Sequence, residues 1–203
     1  MGRPKPRSRQ GSKNTGQLRL IGGDWRRRPL SFPAVDDVRP TPDRVRETLF
    51  NWLMPVVPGS HCLDLFAGSG ALGLEALSRG AASATFVDRS PALVRALTDN
   101  LQTLNASDRG TVIQADCRQW LAQPPAQSFD LIFMDPPFRQ SLITPLCEQL
   151  AQSGWLRDDA WVYMEHEREW QAETVPAHWQ VHRQKTAGQV CYRLYRVQAA
   201  RRV

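Results

Sequence analysis

Residues 61–77, HCLDLFAGSGALGLEAL, have the pattern of a short buried strand, a glycine turn and a helix. Gly68, Gly70 and Gly73 match the G-x-G-x-x-G fingerprint of a nucleotide-binding turn, in which the backbone bends sharply and approaches its ligand. An acid, Asp88, stands 20 residues after Gly68, at the end of the next predicted strand, where it can bind ribose hydroxyls. The pattern predicts a cofactor that contains adenosine, and both NAD and S-adenosylmethionine fit that description.

Strand and helix patterns alternate along the rest of the chain. We expect strands at 61–65, 84–88, 111–115, 129–134 and 160–165, helices at 71–79, 91–104, 117–122 and 140–152, and a closing hairpin of 179–185 and 190–196 that turns at Gly188. This order predicts an α/β fold with a Rossmann-like, doubly wound, mostly parallel sheet and a C-terminal antiparallel hairpin. With 203 residues, the chain is expected to form one domain over 16–203, after a disordered basic tail over 1–15.

A further helix is predicted to start after Arg39-Pro40. Thr41 is the expected N-cap, Pro42 the first helical residue and Asp43 an acid in the first turn. The expected buried stripe of this helix consists of Val45, Leu49, Trp52 and Leu53.

The tetrapeptide Asp135-Pro136-Pro137-Phe138, here called the ledge, follows the apolar run 129–134. Proline cannot donate to a strand ladder, so the sheet is expected to end here. The ledge offers the Asp135 carboxylate, the Pro136 carbonyl and a flat ring to a planar molecule that carries an exocyclic amine. A proline-rich turn in which Phe138 merely packs is the other interpretation, and the tetrapeptide alone does not decide between them.

The surroundings of the ledge favour one of the two cofactors. A dehydrogenase needs a proton-relay residue beside its hydride acceptor, and no residue near Asp135 has that character. Methyl transfer needs mainly in-line placement of a nucleophile in a site that excludes water. The sequence therefore favours S-adenosylmethionine.

The glycine turn and the ledge together resemble class I S-adenosylmethionine-dependent methyltransferases that act on exocyclic amines of nucleobases. More narrowly, the chain is similar to the RsmD family of bacterial 16S rRNA guanine-N2 methyltransferases. The similar segments are IGGDWR (21–26), RPTPDRVRETLFNWL (39–53) and GQVCYRLY (188–195), and the resemblance extends from about residue 16 to 196. It implies methylation of guanine 966 within a small ribosomal subunit particle, and a cleft lined by Arg39, Thr41 and Arg44.

Four acids, Asp64, Asp88, Asp116 and Asp135, follow predicted strands and should share one edge of the sheet. Asp64 is assigned to the methionine ammonium, Asp88 with its neighbour Arg89 to the ribose, and Asp116 with the Cys117 backbone to the adenine amine. The loop that would hold the methionine part consists of Phe66, Ala67, Gly68, Ser69 and Gly70.

Asp135 is assigned to the substrate. Hydrogen bonds from the guanine amine to the Asp135 carboxylate and the Pro136 carbonyl would aim the nitrogen lone pair at the methyl group and stabilise the developing positive charge. Phe138 would stack on the base, and Pro137 would keep the turn rigid.

Positive charge is concentrated at the N-terminus. Residues 1–46 contain 12 of the 26 Lys and Arg residues and 4 of the 20 Asp and Glu residues. Segments 17–21 and 25–30 alternate like a hairpin around Gly22-Gly23, in an extension over 16–40, and would present Arg26, Arg27 and Arg28 to RNA phosphates. A merely solvated face is the alternative, in which case recognition would fall to Arg39, Arg44 and Arg139.

The remaining composition excludes other classes of protein. The four cysteines and four histidines lack metal-ligand spacing, and no apolar run approaches the length of a membrane span, so we expect a metal-free, cytoplasmic protein. The sequence does not reveal the oligomeric state, for which a monomer is the default expectation. Three alternatives to a 16S rRNA methyltransferase stay open: an adenine-N6 DNA methyltransferase, a protein-glutamine methyltransferase, and a non-catalytic RNA-binding protein on the same fold.

Overall fold

The computed structural model describes residues 15–35, 40–138, 141–170 and 175–198. Within these ranges the elements are, in chain order, β1 (Thr15–Arg19), β2 (Pro29–Pro33), α1 (Asp43–Trp52), β3 (His61–Asp64), α2 (Ala71–Ser78), β4 (Ser83–Asp88), α3 (Pro91–Thr103), β5 (Gly110–Gln114), α4 (Cys117–Leu121), β6 (Phe129–Met134), α5 (Ile143–Gln152), β7 (Leu156–Glu167), β8 (Trp179–Ala187) and β9 (Val190–Val197). No helix in these ranges is both long and apolar enough to cross a membrane.

A seven-stranded sheet with the strand order β5-β4-β3-β6-β7-β9-β8 forms the centre of the fold. Strands β3 to β7 are parallel, whereas β9 is antiparallel to β7 and β8 is antiparallel to β9. The chain winds outward from β3 to β5 and then crosses back to β6 on the other side of β3. The switch point of the sheet therefore lies between β3 and β6, as the predicted doubly wound fold requires.

The central parallel strands β3, β4 and β6 are buried on both faces, whereas the edge strand β5 is only partly buried. On β6, Leu131 and Phe133 pack with α1, α2 and α3, whereas Ile132 and Met134 pack with α4 and α5. A side chain at Gly73 would collide with the ring of Phe86 on β4. The third glycine of the fingerprint is thus needed for α2 to lie against the sheet.

The N-terminal hairpin differs from its prediction. The first strand, predicted at 17–21, is β1 at Thr15–Arg19. The second starts at Pro29 rather than at Trp25, and residues 25–28 form turns with Arg27 at a φ of 66°. The reason is a tertiary contact, because Ser78 accepts the Asp24 N–H through its carbonyl (2.8 Å) and the Trp25 N–H through its hydroxyl (3.0 Å). These bonds draw the segment onto the end of α2 and away from a strand ladder.

The start of α1 also differs by one residue. The helix begins at Asp43 with Pro42 as its N-cap, and no side chain caps it. Thr41 is buried and its hydroxyl bonds to Glu165 instead. The predicted stripe of α1 is otherwise correct, with Val45, Leu49 and Leu53 buried and Trp52 half-buried, while Arg46 and Phe50 are buried in addition.

Candidate active site at the carboxyl edge of the sheet

A cavity of about 840 Å³ lies at the carboxyl ends of the parallel strands. All four predicted acids line it, together with Phe138 of the ledge on one side and the glycine loop on the other. Its lining includes these predicted site residues: Thr41, Asp64, Phe66, Gly68, Ser69, Asp88, Arg89, Asp116, Cys117, Asp135, Pro136, Pro137 and Phe138.

The glycine loop is shaped by its own backbone. Gly68 and Gly70 have φ angles of 53° and 80°, in the left-handed region that favours glycine. The Ala67 N–H donates to the Val87 carbonyl at 3.0 Å, and the Gly70 N–H donates to the Ala67 carbonyl at 2.6 Å. Ala67 and Gly70 therefore hold the turn, while Gly68 and Ser69 face the cavity.

Asp88 is held by two backbone donors. Its Oδ2 accepts the Gly68 N–H and its Oδ1 accepts the Ser90 N–H, both at 2.8 Å. Each carboxylate oxygen has a second lone pair, so these bonds leave capacity for two ribose hydroxyls. The carboxylate is fixed in place between the glycine loop and the start of α3.

Asp64 is a buried carboxylate with an unusual acidity. Its Oδ2 accepts the Gly73 N–H at 3.0 Å. Burial raises the pKa of Asp64 to about 7, and repulsion from Asp88 adds to this, although the bond from Gly73 opposes it. A cation bound beside Asp64 would reverse the effect, because an opposite charge favours the ionised form.

Asp116 caps α4. Its Oδ1 accepts the N–H groups of Arg118 (3.1 Å) and Gln119 (3.2 Å). Burial raises the pKa of the neighbouring Cys117 thiol to about 11, so this thiol is not ionised near neutral pH. The adenine-binding role of both residues stays a prediction, for which the structure provides the position.

The ledge combines a half-buried acid with an exposed ring. Phe138 is 41% exposed and free to stack on a planar group, while Pro136 is buried. Burial raises the pKa of Asp135 well above its usual range, and repulsion from Glu165 and Asp64 adds to it.

Glu165 is a site residue that the sequence analysis missed. It lies on β7, is 5% exposed, lines the cavity, and accepts the Tyr163 hydroxyl at 2.8 Å. The sequence did contain a sign of it, because an acid in the apolar run 160–166 is costly unless it has partners.

Those predicted RNA-binding arginines that the structure describes do not line the cavity, so Arg44 differs from its predicted place in the cleft. Arg26, Arg27 and Arg28 are exposed in the turns of the hairpin, and Arg44 is exposed in the first turn of α1. Arg39 and Arg139 fall outside the described residues.

A buried charge network joins the hairpin to α2, and the sequence analysis did not predict it. The Glu75 carboxylate, fully buried, accepts the N–H groups of Ile21 and Gly22 and the Arg79 Nε, each at 2.8 Å. The Arg46 Nη1 lies 3.4 Å from its Oε2. The turn of the hairpin is thereby fastened to the helix that follows the glycine loop.

Arg46 extends the same network to the start of α1. Its guanidinium donates to the Thr41 carbonyl at 3.1 Å, to the Arg19 carbonyl at 2.9 Å and to the Asp43 carboxylate at 2.6 Å. The network therefore fixes Thr41, which lines the cavity. Among the described residues there is no group of three His, Cys, Asp or Glu side chains that could hold a metal ion.

Comparison with known proteins places the chain among methyltransferases. Residues 18–196 match the family described as Conserved hypothetical protein 95. The chain is 50% identical to Ribosomal RNA small subunit methyltransferase D of Escherichia coli, over 91% of this chain and 92% of that protein.

Solved structures agree in fold. The chain superposes with a TM-score of 0.83 on an Escherichia coli protein described as a candidate methyltransferase, YhhF, at 50% identity, covering 91% of this chain and 100% of that one. An RNA methyltransferase from Salinibacter ruber, solved with S-adenosyl-L-homocysteine, shares the fold at a TM-score of 0.59 and 14% identity, over 80% of this chain and 95% of that one.

Proposed function

The chain belongs to the RsmD family of S-adenosylmethionine-dependent rRNA methyltransferases, and we propose that it methylates the N2 amine of a guanine, guanine 966, of 16S rRNA in the small ribosomal subunit. The observation that carries the proposal is the position of Asp135. It follows β6 at the switch point of the sheet, lines one cavity with Asp64 and Asp88, and has the exposed ring of Phe138 beside it.

The cavity fits S-adenosylmethionine. Three acids at the ends of β3, β4 and β5 line it. Asp64 would provide an anion for the ammonium of the amino acid part, Asp88 a pair of acceptors for the ribose, and Asp116 an acceptor for the adenine amine. The buried Asp64 carboxylate forms no ion pair with a described residue, so a ligand ammonium would supply the cation it lacks. When bound, the cofactor supplies a methyl group on a positively charged sulfur.

The residues of the chain orient the acceptor amine. Guanine N2 is a poor nucleophile because its lone pair is delocalised into the ring. In the proposed arrangement the Asp135 carboxylate and the Pro136 carbonyl accept the two amine hydrogens, which favours the pyramidal nitrogen and stabilises its positive charge as the bond forms. Phe138 stacks on the base after it leaves its helix or loop, and the exposed arginines of the hairpin contact phosphates.

An assay with three substrates tests this function. Transfer of a tritiated methyl group is measured to small-subunit particles, to naked 16S rRNA and to duplex DNA, and the labelled nucleotide is identified by mass spectrometry. We expect N2-methylguanosine at position 966 in the particles. Label on DNA adenine, on a protein glutamine, or on no substrate would overturn the proposal in favour of one of the three alternatives.

The same proposal includes the setting of the enzyme. We infer that it acts as a monomer of one domain over 16–203, needs no metal and works in the cytoplasm, where ribosomal particles are assembled. Sedimentation of the purified protein tests the monomeric state, and an assay in the presence of a chelator tests the independence of metal.

A further inference from the structure

The ledge by itself does not distinguish guanine from adenine. Both bases carry an exocyclic amine on the edge used in Watson–Crick pairing, and the Asp135 carboxylate with the Pro136 carbonyl can accept either amine. The bases differ at the neighbouring ring atom, because guanine N1 carries a hydrogen whereas adenine N1 is an acceptor. A residue that reads N1 would therefore set the specificity.

Glu165 lies where such a residue is needed. Met134, the last residue of β6, pairs with Met164 on β7, and the residue after each is an acid, Asp135 and Glu165. Neighbouring strands are about 4.8 Å apart. Repulsion from Glu165 contributes to the raised pKa of Asp135, which agrees with this proximity.

The position of β7 in the sheet separates Glu165 from the cofactor. The strand order is β5-β4-β3-β6-β7, so the three acids assigned to the cofactor follow strands on one side of β6, and Glu165 is on the other. Thr41, whose hydroxyl bonds to Glu165, also lines the cavity. Glu165 therefore lies on the side of the ledge away from the acids assigned to the cofactor.

The hydrogen bonds of Glu165 present it as an acceptor. Its Oε1 accepts the Tyr163 hydroxyl at 2.8 Å, and the Thr41 hydroxyl also bonds to the carboxylate. Burial raises the pKa of Glu165, and both of these hydroxyl bonds oppose the rise because they favour the charged form. In the described part of the chain no lysine or arginine forms an ion pair with it.

We propose that Glu165 accepts the N1–H of the target guanine while Asp135 accepts its N2 amine, which makes Glu165 the residue that selects guanine over adenine. Adenine would place the lone pair of its N1 against the carboxylate, leaving two acceptors without a hydrogen between them. This inference rests on the proposed guanine-N2 activity and adds to it the group that recognises the base.

The test compares two bases that share the reacting amine. 2-Aminopurine keeps the exocyclic amine of guanine but has an unprotonated N1. Small-subunit particles are reconstituted with 16S rRNA that carries guanine or 2-aminopurine at the position the wild-type enzyme methylates, and kcat/KM is measured for both. The ratio of kcat/KM for guanine to kcat/KM for 2-aminopurine is not changed by effects of a variant on folding or on cofactor binding, because these affect both substrates equally. Comparing this ratio between the variant and the wild type removes the other differences between the two bases.

Glu165→Gln is the main variant. Its amide oxygen can still accept from Tyr163, and its amide NH2 can donate to the N1 of 2-aminopurine. We expect the preference for guanine to fall by roughly 10- to 100-fold. Glu165→Asp, whose shorter side chain withdraws from N1, should lower the preference as well, and Glu47→Gln, an exposed acid on α1, should leave it unchanged.

The outcomes separate the inference from the function beneath it. An unchanged preference in both Glu165 variants, with wild-type methylation of guanine intact, would overturn the role of Glu165 alone. A wild-type enzyme that does not methylate guanine N2 would overturn the proposed function and this inference together.

Discussion

The Asp88 carboxylate accepts the backbone N–H of Gly68 at one oxygen and that of Ser90 at the other, both at 2.8 Å. The acid assigned to the ribose thus also holds the glycine loop in its conformation. Because these bonds exist before any ligand arrives, the side chain loses little freedom on binding, which is the usual benefit of a preorganised site.

Replacement of Asp88 should mainly weaken cofactor binding. We expect Asp88→Ala to raise the Kd for S-adenosylmethionine by the equivalent of about 2–3 kcal/mol, because two charge-assisted hydrogen bonds are lost. Asp88→Asn, which keeps one acceptor, should lose less. Turnover at saturating cofactor should change little. Titration calorimetry measures both variants, and a Kd equal to that of the wild type would remove Asp88 from the cofactor site.

Replacement of Asp135 should have the opposite pattern. Asp135→Ala removes one preorganised acceptor, which costs on the order of 3 kcal/mol in the barrier to methyl transfer, while cofactor affinity stays close to that of the wild type. Asp130→Asn, at the other end of β6, is the matched control and should keep its activity. Loss of S-adenosylmethionine binding in the Asp135 variant would place this acid in the cofactor site instead.

The raised pKa of Asp64 predicts how the stability of the protein changes with pH. Since it is raised from 3.8 to about 7, the folded protein without cofactor holds a proton there that the unfolded chain releases. This contribution to stability is complete below about pH 4 and is lost as the pH rises through 7. Asp64→Asn cannot titrate, so its free energy of unfolding relative to the wild type should increase from about pH 5 to about pH 8. Urea unfolding at both values measures it, and a constant difference would contradict the shift.

The ion pair of Arg46 and Glu75 should matter for stability. Glu75→Gln leaves the Arg46 guanidinium buried beside a neutral amide, and the loss of one partner of a buried pair costs about 3–5 kcal/mol. Asp43→Asn removes the other carboxylate on Arg46, but Asp43 is 71% exposed, so a loss of less than about 1 kcal/mol is expected. Chemical unfolding measures the free energy of unfolding of both variants. If Glu75→Gln and Asp43→Asn lower it equally, burial does not determine the strength of this network.

The hairpin arginines can be tested through salt dependence. Replacement of Arg26, Arg27 and Arg28 by Gln should weaken RNA binding and reduce the slope of log affinity against log salt by up to about 2–3 units. Replacement of the same three residues by Lys keeps the charge and should keep most of the slope. Cofactor affinity should not change, because these residues do not line the cavity. A folded Gln variant with the wild-type slope would identify a merely solvated face.

The parallel sheet and the position of the cofactor cleft could be predicted because their patterns are local. The glycine turn, Asp64 and Asp88 lie within one strand–turn–helix–strand segment, and every parallel strand ends at the same edge. Asp116 and Asp135 could be added by the same rule. For these residues, sequence position alone determines which end of the sheet they occupy.

Features that depend on pairing between distant segments could not be predicted. Glu165 is beside Asp135 only because β6 and β7 pair in one register, and a shift of one residue would turn it to the other face. Trp25 leaves the strand pattern because Ser78, 53 residues away, accepts its N–H. Thr41 resembled an N-cap, but its hydroxyl bonds to Glu165, far along the chain.

The buried Glu75 also sets an order of events when the protein is made. Its bonds to Ile21 and Gly22 span 54 and 53 residues, and Asn100, which donates to the Ser31 carbonyl, is 69 residues from its partner. The N-terminal hairpin is synthesised before α2 and α3, so the Ile21 and Gly22 N–H groups lack Glu75, and the Ser31 carbonyl lacks Asn100, until those helices follow. Contacts of such separation close late. The hairpin is therefore translated well before the residues that complete its hydrogen bonds.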